Sequence, residues 1–580
     1  MLDVVLDFET TNLDKGDAQN PDNRIVLTCG YTDVLKSLYS GTIQSAEFLN
    51  PLLEGRTLVA HNAKFELKWL KRMGYNLQDV TVWDTMVAEY VFSGNRGHAL
   101  DLGSVAQRYG LPGKEQFVDK CIKGGVCPSE IPRSFIIRRC EYDVLVTKEL
   151  YKLQYQRAID EGKLDVIRTR CMFTPVLADI EFNGMVPDPD KVLPVYYEIQ
   201  DMHLKVKDEL SNLHPDVNWN SPKQVSELLY DVLGFKELHK RGKPVRTPKD
   251  GRKADASTIG ALTARTKAQK RLKQLVLDEA ALSTKLTFLN KLKDCCENEK
   301  ILYANFNQCI TQTHRLSSNG TKYKVQFQNM AREYKPLFKS RNPKWLIGEI
   351  DGAQLEFRVA AFMGQDEAAI SDIRNEVDVH RFTASTITEA GQVTSRQEAK
   401  AHTFKPLYGG SSGTEAEKAY YAAFKEKYKG IASTQQEWID TVVRDKKLRI
   451  PSGLEFYWDN CRMGRDGYVT NSSNICNYPV QSFATADIIP IAVRFLWEAM
   501  KEANLQSFIV NTVHDSVILE VHPDEVEIII ELGVDSFTTK VYNYLHDVYK
   551  LDFNVPLGVG YKFGEHWSLG EEVKINVEPV

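Results

Sequence analysis

Residues 395–410 read SRQEAKAHTFKPLYGG and set Arg396, Lys400, Phe404 and Tyr408 four positions apart. Steps of four advance ~400° around an α-helix, so the four side chains form one slowly drifting stripe. A stripe of this kind has two readings. It is a helix whose cations snorkel over buried aromatic rings, or a surface on which two cations grip a triphosphate while ring faces stack on a base. Pro406, Gly409 and Gly410 are expected to end or kink the helix at Tyr408.

Carboxylates flank this stripe on both sides. KWLIGEIDGAQLEFRVAAFMG (residues 344–364) reads as a strand that ends at Asp351 and passes into a helix, and SFIVNTVHDSVILEV (residues 507–521) as two β-rich runs joined at His514 and Asp515 in a hairpin. An acid at a strand end is often only a terminator, but an aspartate in a tight turn behind a histidine is an odd place for a structural one. Asp351 and Asp515 are therefore candidate metal ligands. Two-metal phosphoryl transfer needs such acids: one cation lowers the pKa of a primer 3′-hydroxyl and the other neutralises a triphosphate and its leaving pyrophosphate.

A second carboxylate set opens the chain. In VVLDFETT, Asp7 and Glu9 alternate on one predicted strand and so share a face, a start toward holding a hard divalent cation, though a surface acid pair is the commoner outcome of such a pattern. Glu66 in HNAKFELKWL and Asp143 in RRCEYDVLVTKEL lie in predicted helices. Four acids converging from three segments could carry two metals for attack of water on a phosphodiester. Strand and helix signals alternate to about residue 160, including TLVAHNAKFELKWLKRMG and VWDTMVAEYVF, which predicts an α/β domain. From Lys163 to Leu302 the pattern becomes mostly helical, with charged amphipathic stretches such as TKAQKRLKQLVLDEAALSTKLTFLNKLKD, read as helices reaching toward a partner.

The chain has 580 residues, 43% hydrophobic and 26% charged, and this length favours several domains of ordinary globular composition. MLDVVLDFET lacks the basic start of a secretion signal, and no segment approaches ~18 uninterrupted apolar residues, so an intracellular soluble protein with no membrane contact is expected. The ten cysteines show no CxxC pair or partnered histidine spacing and are read as reduced thiols. A net charge of −5 argues against a chain coated in positive charge, but a nucleic-acid enzyme needs only a local basic groove. The densest basic run, Lys236 to Lys253, carries eight Lys/Arg against two acids and fits either a solvated loop or contact with phosphates.

Taken in order, these elements resemble family A DNA polymerases of the bacterial polymerase I type over nearly the whole chain. NWNSPKQVSELLYDVLGF is similar to the thumb segment of that family; THRLSS followed by VQFQNMAR is similar to its template-primer segment. IDGAQLEFR resembles motif A, R-x3-K-x3-F-x3-YG motif B, and VHDS motif C, while DFET, HNAKFE with WDTM, and CEYDVLVTKEL resemble the three motifs of a 3′→5′ exonuclease. The resemblance implies that Asp351 and Asp515 hold the polymerase metals, that His380, Arg396 and Lys400 contact the incoming triphosphate with Lys400 a candidate proton donor to pyrophosphate, and that Phe404 and Tyr408 shape the nucleotide pocket. It further implies that Glu356 with Tyr408 excludes a ribose 2′-hydroxyl, and that Arg315, Gln328, Asn329, Asn477, Gln481 and His514 contact the primer-template. In the exonuclease it implies Asp7, Glu9, Glu66 and Asp143 as metal ligands. Three positions depart from the family pattern: Ser516 stands where a Glu usually follows the motif C Asp, Glu66 replaces an Asp, and Arg139 replaces a Tyr that orients the attacking water.

The fold so implied is an α/β ribonuclease H-like exonuclease domain (residues 1–165), then an α+β right hand: thumb and start of palm (166–340), palm and fingers (341–580), with the fingers at about 365–450. The function implied is template-directed addition of dNTPs to a primer 3′ end, with a proofreading exonuclease weakened by its departures. The expected cofactor is Mg2+, two per active site, with Mn2+ an alternative, and the expected partners are primer-template DNA and dNTPs, bound by a monomer. A 5′-nuclease domain and a processivity-factor dock are expected to be lacking, and the compact size is similar to that of bacteriophage replicative enzymes. Two other readings compete: a nuclease whose C-terminal region only grips DNA, and a non-catalytic DNA-binding module. A triphosphate-gripping Arg and Lys beside a stacking ring argues against the first, and two carboxylate sets argue against the second.

Overall fold

The computed structural model describes residues 3–32, 37–41, 49, 53–113, 116–240, 242–248, 250–298, 300–320, 323, 325–410, 412–465 and 467–579, with 37–40 described by backbone alone. Its contacts divide the chain into two compact units, Met1–Met185 with Tyr303–Val580, and Val186–Leu302.

The first unit begins with a five-stranded sheet. Its strands are β1 (Asp3–Thr10), β2 (Ile25–Thr32), β3 (Ser37–Gly41), β4 (Thr57–Ala60) and β5 (Thr81–Asp84), in the order β3-β2-β1-β4-β5. β1 runs antiparallel to β2 and parallel to β4. Val4, Leu6 and Phe8 are buried, and Val5 is as well, because β1 is central and covered on both faces. Helices α1 (Lys64–Arg72), α2 (Thr85–Ser93) and α3 (Arg133–Asp160) are among those that accompany this sheet. Asp84 caps α2 by accepting from the backbone N–H of Met86 and Val87. Ile136, Cys140, Asp143, Val144 and Thr147 form a buried stripe on α3, which lies along β1 and β2. That packing carries Asp143 to the sheet.

The second unit holds the long helices α4 (Pro189–Leu213) and α5 (Lys267–Asn298). Leu210, Val225, Leu228, Leu229, Ile259, Leu272 and Leu275 form its core. Within the basic run, Arg246 pairs with Glu237 at 2.8 Å and Arg252 with Asp231, so part of its charge is met internally. Arg241 and Lys249 of that run lie outside the described residues.

The remainder of the first unit is built on a second, fully antiparallel sheet. It comprises β6 (Leu346–Gly352), β7 (Phe508–Val513), β8 (Ser516–Val521), β9 (Leu557–Gly564) and β10 (Val573–Val577), in the order β7-β8-β6-β9-β10. Between β6 and β7 the chain runs through α6 (Leu355–Gly364), α7 (Val379–Glu389), α8 (Arg396–Thr403) and α9 (Ser472–Ser482). β7 and β8 form the expected hairpin, with His514 at φ 55° in its turn.

One sequence expectation is corrected here. The helix starting at Arg396, closed by a Ser395–Glu398 capping box, stops at Thr403 and not at Tyr408. Phe404 leaves helical geometry (φ −100°, ψ 4°) and Lys405–Tyr408 form a 3-10 turn. Pro406 has no N–H to donate to the His402 carbonyl, so an α-helix cannot continue through it. Phe404 and Tyr408 therefore do not share a helical stripe with Arg396 and Lys400. None of the ten cysteines forms a disulfide, in keeping with their reading as thiols.

Candidate functional site

β6 is central in its sheet, and its neighbours decide what surrounds Asp351. Asp351 pairs with Ser516 on one side and with Gly560 on the other. The N–H of Gly352 donates to the Asp515 carbonyl at 3.0 Å, which brings the hairpin turn beside the strand end. Gln328 clamps that turn: its Oε1 accepts from the His514 N–H at 2.9 Å and its Nε2 donates to the Thr512 carbonyl at 2.7 Å. Gln328, a predicted DNA contact, is thus a buried brace of the hairpin. Ser516 Oγ donates to the Val513 carbonyl at 2.9 Å and closes the same turn.

The two aspartates lie in an environment that disfavours their charge. Burial, then Glu572 and Glu349, raise Asp351 to about 6; burial, then Glu356 and Asp351, raise Asp515 to about 7. Asp515 Oδ1 is buried and accepts no hydrogen bond. A buried, unsatisfied carboxylate oxygen beside a second carboxylate is costly unless a cation meets it, so this donor set fits a hard divalent ion.

Glu356, in the first turn of α6, is the hub of the adjoining polar cluster. It accepts from Arg315 Nη2 at 2.6 Å, from the Tyr408 hydroxyl, and from the Gln481 side chain. Asn477 stands one helical turn before Gln481 on α9, with its Oδ1 buried and accepting no hydrogen bond. Asn329 is exposed and donates to Gln326 at 3.1 Å.

The triphosphate candidates gather on α7 and α8. Arg396 Nε donates to Asp378, the N-cap of α7, at 2.5 Å, and His380 Nδ1 lies 2.9 Å from Thr403 Oγ1. Burial, then the charge of Arg396, lowers the His380 pKa. Lys400 is exposed. The Phe404 ring lies 5.5 Å from the His380 ring and 5.8 Å from Phe357, the neighbour of Glu356, which joins this group to the carboxylates.

Where α3 packs on the N-terminal sheet, Asp7 and Glu9 of β1 and Asp143 of α3 each offer an oxygen within 4.8 Å of the others. Arg139, one turn before Asp143 on α3, already meets them: its Nε lies 2.6 Å from Glu9 Oε1 and 3.7 Å from Asp143 Oδ2, and its Nη1 donates to Asp119 at 2.7 Å. Cys140 Sγ donates to Asp7 Oδ2 at 3.1 Å; its hydrogen bond with Cys29 and its burial raise its pKa, so it stays a thiol. Three close carboxylates fit a divalent cation, with a guanidinium now meeting that charge. Glu66 does not join the set. It is buried on α1, its Oε2 accepts no hydrogen bond, and burial together with Asp7 raises its pKa well above the carboxylate range.

Comparison with known proteins meets this geometry. Residues 194–569 match the model of DNA polymerase family A, and residues 1–153 match that of a 3′-5′ exonuclease. The chain belongs to DNA polymerase family A. It carries a polymerase domain preceded by a 3′→5′ exonuclease domain. Among similar family A members, DNA polymerase I of Aquifex aeolicus is 25% identical over 91% of this chain and 90% of its own length. DNA polymerase I of Bacillus subtilis is 25% identical over 84% of this chain, and that of Geobacillus stearothermophilus 27% over 68%; the chain spans only 55% and 44% of those two. A solved structure, the POL domain of Pol1 from M. smegmatis in complex with DNA primer-template and dNTP, shares the fold at a TM-score of 0.76 and 20% identity, covering 98% of this chain and 96% of that one. Among the described residues, no helix of this family A chain is long and apolar enough to cross a membrane.

Sequence reasoning missed Asp119 and Cys140 at the exonuclease carboxylates, and Glu572 beside Asp351. Asp119 lies in a short surface helix with no motif around it. Glu572 lies beyond the last matched residue of the polymerase model. Cys140 was within reach, being three residues before Asp143 on a predicted helix.

Proposed function

We propose that this chain extends a primer 3′ end by template-directed addition of dNTPs, and that its N-terminal domain removes 3′-terminal nucleotides at a reduced rate. The observation that carries the first half is the Asp351–Asp515 pair: one carboxylate at the end of β6 and one in the hairpin turn beside it, the latter with a buried oxygen that accepts no hydrogen bond, in a chain of family A. Divalent cations held by Asp351 and Asp515, two Mg2+ in this reading, would activate the primer hydroxyl and neutralise the leaving pyrophosphate. Arg396, Lys400 and His380 bind the triphosphate, and Lys400 donates a proton to the departing pyrophosphate. Phe404 presents its ring to the incoming base. Glu356, held by Arg315 and Tyr408, walls the sugar's 2′ side. Arg315, Asn477, Gln481 and His514 line the primer end, and Asn329 meets the template strand.

The domain assignment follows: exonuclease in residues 1–165, thumb and start of palm in 166–340, palm and fingers in 341–580 with the fingers at about 365–450. The helical unit Val186–Leu302 supports the thumb and α7 with α8 the fingers.

For the exonuclease, Asp7, Glu9 and Asp143 would hold the cation and Arg139 competes with it. Glu66, outside that set, acts through its neighbour Asp7. The test is one gel of a labelled primer-template with Mg2+, with and without dNTPs. Extension with dNTPs and slow shortening without them are expected; no extension would refute the polymerase reading, and no shortening in Mg2+ or Mn2+ the exonuclease one.

A further inference from the structure

The polymerase match ends at residue 569, but the chain continues and lays one more strand on the catalytic sheet. That strand, β10, is firmly seated. Asn576 accepts from Arg358 Nη2 at 2.7 Å and donates to Glu376 at 2.9 Å, and the Tyr542 hydroxyl donates to the Val577 carbonyl at 3.0 Å. Its register then fixes what approaches Asp351. Asp351 pairs with Gly560, and Gly560 pairs with Lys574, so the three stand in one row and their side chains leave the same face of the sheet. Gly560 contributes no side chain, which leaves a gap between the other two. A methyl group there would lie 2.5 Å from Asp351 Oδ1 and 3.6 Å from Glu572 Oε1. Two strand spacings separate Asp351 from Lys574, ~10 Å, a span that a four-carbon lysine stem crosses for the most part.

Glu572 and Lys574 pair at 3.4 Å and remain 44% and 55% exposed, so the ammonium is open to a ligand arriving at the site. The Lys574 charge reaches both the carboxylate of Asp351 and His380, which is grouped with Arg396 and Lys400. A nucleoside triphosphate lying from the carboxylates toward that group brings its phosphates under the same charge. A lysine suits such a role as a point charge on a flexible stem.

We propose that Lys574, delivered by the C-terminal strand, contacts the phosphates of the incoming nucleotide and of the pyrophosphate product, with Glu572 a positioning residue that holds its ammonium over Gly560. The inference rests on the polymerase reading above, and the experiment separates the two. The full chain and its Lys574→Ala, Lys574→Arg and Glu572→Gln variants are compared in single-nucleotide incorporation, in equilibrium dNTP binding to a dideoxy-terminated primer complex, and in inhibition by inorganic pyrophosphate. For Lys574→Ala, KM for dNTP and the dissociation constant in the terminated complex are expected to rise about tenfold, the loss of ~1.4 kcal/mol. Pyrophosphate inhibition should weaken in parallel, while kcat, primer-template affinity and Tm hold. Lys574→Arg should recover most of the affinity, and Glu572→Gln should lose about two- to threefold of it. Unchanged nucleotide and pyrophosphate affinity in Lys574→Ala, or a fall confined to kcat, overturns the assignment. A parent that binds primer-template but never extends it would defeat the polymerase reading and this inference with it.

Discussion

Arg139 Nε lies 2.6 Å from Glu9 Oε1, so a guanidinium from the same domain stands against the exonuclease carboxylates. The same side chain reaches Asp143 at 3.7 Å and is anchored on its far side by Asp119 at 2.7 Å. A divalent cation entering this set must displace a charge that is already paired and partly buried. Such a displacement costs metal affinity even where all three carboxylates are in place.

Replacing that charge should therefore strengthen the site. Arg139→Tyr is expected to tighten Mn2+ binding, read by electron paramagnetic resonance of the free ion, and to speed digestion of single-stranded DNA about tenfold at submillimolar metal. Asp7→Ala should abolish digestion. If Arg139→Tyr binds Mn2+ no better than the parent, the guanidinium is not the competitor.

Asp515 gives a pH prediction with a definite sign. Burial, then Glu356, raises it to about 7, whereas an unfolded aspartate titrates near ~4. Between these values the folded chain binds the extra proton, so stability falls as pH rises through the window and levels off above it. Asp515→Asn carries no charge and escapes this loss. Its Tm should exceed the parent's at pH 8, by on the order of 1–4 kcal/mol of stability, with the gap closing toward pH 5. Extension should be lost at every pH, with DNA binding largely retained because phosphate contacts dominate affinity. Equal Tm values at pH 8 would contradict the buried charge.

Ser516 donates to the Val513 carbonyl and takes no part in the carboxylate pair. Ser516→Ala should cost about 1 kcal/mol of stability through one lost buried hydrogen bond and change the extension rate by less than about threefold. A larger rate loss in primer extension would mean that the hydroxyl serves the metal centre directly.

What the sequence made legible depended on how local the determining physics was. Asp7 and Glu9 share a face because a strand alternates, and Asp351 reaches the hairpin at Asp515 because two apolar runs end there; both followed from period and punctuation. The end of α8 was misread because one missing N–H, at Pro406, outweighs four residues of helical spacing. Gln328 shows a different limit: its side chain clamps a hairpin almost two hundred residues away, and no local pattern announces such a contact. Glu66 could be placed on a helix, but whether it reaches the other three acids depends on how that helix packs on the sheet.

Glu356 joins Arg315 to Tyr408, and its removal should be felt in two separable ways. Glu356→Ala deletes the group proposed to crowd a ribose 2′-hydroxyl, so the preference for dNTP over rNTP, as a ratio of kcat/KM values, should fall by about tenfold or more. It also leaves the Arg315 guanidinium, proposed to line the primer end, without its carboxylate partner and unties the Tyr408 hydroxyl, so kcat/KM for dNTP itself should fall. Glu356→Gln separates the two effects. The amide keeps the bulk and can still accept from Tyr408, but it removes the charge that Arg315 pairs with. Sugar discrimination should then be kept while dNTP incorporation weakens. If Ala and Gln relax discrimination equally, charge and not crowding governs the sugar, and the wall formed by Glu356 and Tyr408 has been given the wrong physical cause.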